Sequence, residues 1–157
     1  MVRCLLVGAL ATVLLLIGGP AFADPPITET INQKNIVNTF VDFLPSSCEL
    51  GGPLYTFTTT TNRVEHSTTF DDGRIHGTIL ETGSFVAAPL EDPSLPTYTG
   101  KFTNRNSFFV QNGMVVTNTS TRTVHGSGSD GSTFKIHVTV HTNIPPTGAI
   151  NEFFRCH

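Results

Sequence analysis

Phe134-Lys135-Ile136-His137-Val138-Thr139-Val140-His141 is the stretch that decides the fold. Phe134, Ile136, Val138 and Val140 share one parity, and Lys135, His137, Thr139 and His141 share the other. A β-strand, whose side chains alternate between faces, sorts such a run into an apolar side and a polar side. One face buried and one face wet is the habit of antiparallel sheets. Immediately upstream, Asp130-Gly131 marks a hairpin, as do Asp71-Asp72-Gly73 and Asn112-Gly113. These residue types tolerate the positive φ values that tight hairpin turns require. Tyr98, Phe102, Phe108 and Val110 share a parity before Asn112 and are expected to face the same interior.

Strands are expected near 36–43, 54–61, 63–70, 74–87, 99–111, 114–127, 132–142 and 149–155; a bulge at Asn62-Arg63 would merge the second and third. Pro145-Pro146-Thr147-Gly148 cannot lie inside a central strand, because two prolines remove two ladder donors. Nowhere does a helical apolar stripe occur. Seven or eight hairpin-linked antiparallel strands must stack as two sheets or close on themselves. Closure removes exposed edges, so the expected fold is an all-β small barrel, with a β-sandwich as the alternative. Glu91 to Tyr98, with prolines at 93 and 96, is the longest break and is expected to cross the barrel end.

The composition agrees. The 157 residues include 24 Thr, 14 Gly and 12 Phe, no Trp, and only 13% charged residues. Threonine suits pleated surfaces better than helices. Low charge with many aromatics excludes a coiled coil and a disordered chain. A net charge of −3 and scattered basic residues speak against nucleic acid as a partner.

Residues 1–23 read as a secretory signal: Arg3, an apolar run from Leu5 to Ile17, the breakers Gly18-Gly19-Pro20, and Ala21-Phe22-Ala23 as the cleavage site. The run is shorter than the roughly 20 residues of a spanning helix, so no stable membrane insertion is expected after cleavage. Cleavage removes Arg3, leaving eight basic and twelve acidic residues, a net −4. It also removes Cys4 and leaves Cys48 and Cys156, an even pair expected to form a disulfide in an exported chain. Closing a loop near 100 residues would contribute about 4–5 kcal/mol in the chain-entropy view. Residues 24–35 are expected to form an extended N-terminal arm, and 36–157 a single β-barrel domain.

Two motifs carry a resemblance. Pro93-Ser94-Leu95-Pro96-Thr97-Tyr98-Thr99-Gly100-Lys101-Phe102 is one; Gly126-Ser127-Gly128-Ser129-Asp130-Gly131-Ser132 followed by Ile136 to His141 is the other. With Cys48 and the terminal Arg155-Cys156, they resemble a family of small secreted actinobacterial β proteins over nearly all of 36–157. The resemblance implies an exported β domain with one disulfide and assigns no activity. The likeness to lipocalin, allene-oxide-cyclase and dirigent barrels is one of architecture alone, and fold does not carry function.

Candidate chemistry is sparse. His137 and His141 are four strand residues apart, about 13 Å, and cannot share a metal. His125 with His137, and His66 with His76, could lie diagonally across hairpins at about 7–8 Å. Zinc wants three or four ligands, so solvent-face histidines bonded to threonines are favoured and no metal or cofactor is expected. Glu81 is the one carboxylate in mid-strand, sharing a parity with Ile79, Gly83 and Phe85. Facing inward it would be a weak candidate general acid, its pKa raised by desolvation. Pairing with a base such as Arg105 or Arg122 would make it structural. Glycines 77 and 83 on that face would leave room for a ligand.

The leading expectation is a non-catalytic barrel holding a small apolar ligand, lined by Tyr55, Phe57, Phe85, Phe102, Phe108 and Phe134. The alternatives are a cyclase-like or isomerase-like enzyme using Glu81 or a histidine, and a structural or adhesive surface protein using its Thr-rich outer face.

Overall fold

In the computed structural model, described over residues 24–44, 51–145 and 150–156, alternation becomes one antiparallel sheet of seven strands. The strands are β1 (Ile27–Phe43), β2 (Leu54–Thr69), β3 (Ile75–Pro89), β4 (Tyr98–Gln111), β5 (Met114–Gly128), β6 (Thr133–Asn143) and β7 (Asn151–Cys156). Each pairs only with its neighbours in sequence, so the sheet is a pure meander. The leader at 1–23 lies outside the described residues. So does the pairing of Cys48 with Cys156, of which only the Cys156 backbone, at the end of β7, is described.

The sheet coils without closing. Side chains from β1 and β6 line one hollow, yet among the described residues no ladder joins β1 to β7. The expected closed barrel is corrected to an open, barrel-like sheet. Its last strand has six residues against seventeen in β1, so even a full ladder would leave most of the β1 edge unpaired.

Two further boundaries move. The expected break after Thr61 is absent, and Leu54–Thr69 is one strand. The extra residue lies instead on β1, where Lys34 and Asn35 together oppose Asn62. Asn35 takes a left-handed φ of 55°, and its N–H donates to Asn62 Oδ1 at 3.1 Å. Residues 24–35 are extended but not a free arm, because from Ile27 they form the first half of β1, paired with Arg63–Thr69. The bulge re-aims the strand so that Gln33 and Ile36 both face the concave side.

The turns follow their residues. Asn112 and Gly113 take φ of 53° and 74°, the two-residue hairpin that Asn-Gly favours. The Asp71–Gly73 and Ser129–Gly131 turns are three-residue loops with glycine in the left-handed last place, closed by Gly73 N–H to Phe70 O and Gly131 N–H to Gly128 O, each 3.0 Å. The segment 91–97 does not cross a barrel end. It is a wide hairpin loop between the paired strands β3 and β4. Its Thr97 O accepts from Ser129 N–H at 2.9 Å, and Leu95 packs against the core.

Five cross-strand pairs shape the interior. Phe108 opposes Gly77, Phe102 opposes Gly83, and Phe85 opposes Gly100; Tyr98 opposes Gly128, and Phe134 opposes Gly126. Each ring comes within 3 Å of where a Cβ would stand on the glycine, and at Gly77 and Gly126 it is the nearest group. Such pairs let strands bend inward while the ring restores the buried area that glycine lacks. The core centres on Tyr55, Phe85 and Ala87, with Phe57, Phe102, Val124 and Phe134 packed around them. Tyr98 meets Tyr55 and Phe134 edge-on, at centroid distances of 5.9 and 5.5 Å.

Candidate functional site

The rings do not fill the sheet. A hollow of about 730 Å³ remains on the concave side, walled by β1 through β6. That volume lies in the range of small-molecule sites. Its upper wall is apolar: Phe40, Phe57, Phe85, Phe102, Val124, Phe134 and Ile136. Phe40 stacks on Phe57 at 5.4 Å and 6°, and Phe57 continues to Phe85 at 5.9 Å. Because β1 is an edge strand, Phe40 stays 41% exposed and this wall stands open to solvent.

Of the six expected lining aromatics, Phe57, Phe85, Phe102 and Phe134 line the hollow. Tyr55 is 2% exposed and belongs to the core behind the wall. Burial is the main cause pushing its phenol above the ordinary value, with the nearby Tyr98, Asp130 and Asp92 adding to it. Phe108 shares the inward parity but lies near the other end of β4, covering Gly77. The space expected at Gly77 and Gly83 is taken by Phe108 and Phe102. Phe40 was not anticipated, since the apolar residues of its strand fall on both parities (Ile36 and Phe40 against Val37, Val41 and Phe43) and mark no single face.

A polar row floors the hollow. In register across the sheet lie Gln33, Arg63, Glu81, Asn104 and Arg122, ending at Val138. Glu81 faces inward as its parity requires. Its partner is Arg63, directly opposite on β2, rather than Arg105 or Arg122. Arg63 Nη1 lies 3.8 Å from Glu81 Oε1, and Nη2 donates to Glu65 Oε2 at 2.8 Å. Asn104 Nδ2 donates to the other Glu81 oxygen at 3.0 Å, and Ser120 Oγ donates to Asn104 Oδ1 at 3.5 Å. Arg122 lines the hollow and, among the described residues, has no carboxylate within ion-pair distance.

On the convex face, histidines pair with threonines: His66 with Thr30 at 2.9 Å, His137 with Thr123 at 2.9 Å, and His141 with Thr119 at 2.7 Å. His125 and His137 are diagonal neighbours, as are His66 and His76. Among the described residues no three His, Cys, Asp or Glu side chains converge as a metal site requires. The basic residues are less scattered than the linear sequence implied, because register sets Lys101, His125 and Lys135 side by side on this face. No helix among the described residues is long and apolar enough to cross a membrane. No family model matches the chain, and no curated protein or solved structure matches it.

Proposed function

We propose that this is an exported, non-catalytic binding protein that holds one small, largely apolar molecule in the hollow of its coiled sheet. The supporting observation is the hollow itself, about 730 Å³ with aromatic and aliphatic walls that the protein's own side chains leave unfilled. Water against the aromatic part of the wall gains few hydrogen bonds from it, so an apolar group is favoured there. Glu81 touches the same hollow and is the carboxylate that the cyclase reading would use. Arg63 lies 3.8 Å from one of its oxygens and Asn104 donates to the other, contacts that favour a part in fixing the floor.

Native mass spectrometry of the exported protein tests the reading, with titration of an environment-sensitive apolar dye alongside it. A co-purified small molecule, or saturable dye binding that Phe57→Ala or Phe102→Ala weakens, is expected. Absence of both would refute it. Turnover abolished by Glu81→Gln, with binding intact, would favour the enzyme instead.

A further inference from the structure

The hollow is built in two parts, and the division specifies its ligand. Three registered rows form its more apolar end: Phe40–Phe57, then Phe85 and Phe134 over their glycines, then Ile36, Phe102, Val124 and Ile136, with Asn38, Thr59 and Thr61 the polar members of the last two. The next row is the polar floor described above. Arg63 is shared between Glu65, at 2.8 Å, and Glu81, at 3.8 Å, and Asn104 donates to Glu81. Arg122 does not join them. Its cross-strand neighbours are Asn104 and Val138, and Val124 and Ser120 flank it on the same face. Glu81 lies two strands away in the row, about 10 Å by strand spacing. That is near the screening length of physiological salt, so Glu81 balances Arg122 only weakly. Asp42, the other carboxylate that lines the hollow among the described residues, lies nine residues beyond Gln33 at the carboxyl end of β1, where its Oδ1 accepts from Phe43 N–H at 2.8 Å.

We infer that the occupant is an amphiphile with one anionic head, received by the Arg122 guanidinium, and with its apolar body lying against Phe102, Phe134 and Phe57. This rests on the binding function proposed above and adds the ligand's charge and orientation. Arg122 is exposed, so its charge is solvated and costs little. Once an apolar body expels that water, the same cation faces a lower dielectric, and an anion presented to it is held by charge-assisted hydrogen bonds. The guanidinium fork matches a carboxylate in two-point fashion and takes a phosphate or sulfate by the same geometry. From Arg122 to Gly126, the level of the Phe134 ring, the strand rises about 13 Å, the length of roughly ten extended methylenes. Asp42 at the far end repels a reversed head and so fixes the direction.

The test uses the exported protein with dodecanoate, dodecyl phosphate and 1-dodecanol as probes below their aggregation limits, binding being read by displacement of an apolar dye. The expected result is that both anions bind at least about tenfold tighter than the alcohol, although the alcohol is the more apolar. Arg122→Gln should erase that preference while changing dodecanol affinity less than twofold, and Arg122→Lys should restore part of it. The ratio of dodecanoate to dodecyl phosphate affinity identifies the head. Equal binding of alcohol and anions to the unaltered protein would overturn the assignment and leave the apolar site standing. Equal weakening of all three probes by Arg122→Gln would also overturn it. If no probe binds, the failure lies with the binding function itself.

Discussion

Replacing Gly126 by alanine tests whether the ring-over-glycine pairs shape the sheet. All three atoms nearest a Cβ built at Gly126 belong to the Phe134 ring, which packs directly across from it. At an unobstructed site with ordinary φ, glycine to alanine would stabilise by about 0.4–1 kcal/mol through the unfolded chain. Here the methyl must displace a ring that also packs on Tyr98 and Phe85, and overpacking of that kind costs about 1–3 kcal/mol. The expected net effect is a loss of about 1–2 kcal/mol, with the melting temperature falling on the order of 4 °C per kcal/mol. Urea unfolding followed by far-ultraviolet circular dichroism suits a chain with two Tyr and no Trp, and the denaturant slope should not change. In a Phe134→Leu background the ring is gone, so Gly126→Ala should become neutral or stabilising, a coupling of at least about 1 kcal/mol. Stabilisation by Gly126→Ala alone, or an equal cost in both backgrounds, would refute the reasoning.

Phe85 is 4% exposed and touches both the core and the hollow, so Phe85→Ala should cost about 3–5 kcal/mol in the same assay; a loss below about 1 kcal/mol would show that the ring is not a core element. The turn aspartates set an acid limb. Ser132 Oγ donating to Asp130, Ser94 Oγ donating to Asp92, and the Arg74 backbone N–H donating to Asp72 hold these carboxyls below the ordinary 3.8. Because the folded values lie below the unfolded ones, their contribution is present above about pH 4 and is lost as pH falls through the folded values. Asp130→Asn should flatten stability measured between about pH 2 and 5, and an unchanged acid limb would contradict this. Val37 is 62% exposed on the convex side of the edge strand β1, so Val37→Lys should reduce any concentration-dependent self-association seen by sedimentation while leaving the melting curve nearly unchanged.

Where burial is one-sided, the sequence told much of the fold. Phe134 to His141 split cleanly into faces, Asn112-Gly113 took the two-residue turn, and Glu81 faced inward with Phe85. What stayed hidden depended on which strands meet. Gly126 and Phe134 are eight residues apart and Gly77 and Phe108 thirty-one, so their pairing emerges only from register. The glycines therefore looked like room for a ligand when they were room for rings. Arg63 read as a turn or bulge residue and proved to be the partner of Glu81, because the irregularity sat on β1 and kept β2 straight. The first half of β1 was missed for a different reason. An edge strand has one neighbour and little burial, and Glu29, Gln33 and Asn35 interrupt its alternation.

Because every strand pairs with the one just before it, assembly needs no distant partner. Three of the connections are tight turns, and those at 44–53, 90–97 and 144–150 span no more than ten residues, so the entropic cost of each closure is small and registry can propagate in a single direction from β1. A chain emerging amino end first could thus knit its fabric row upon row, with the short final strand as the last stitch.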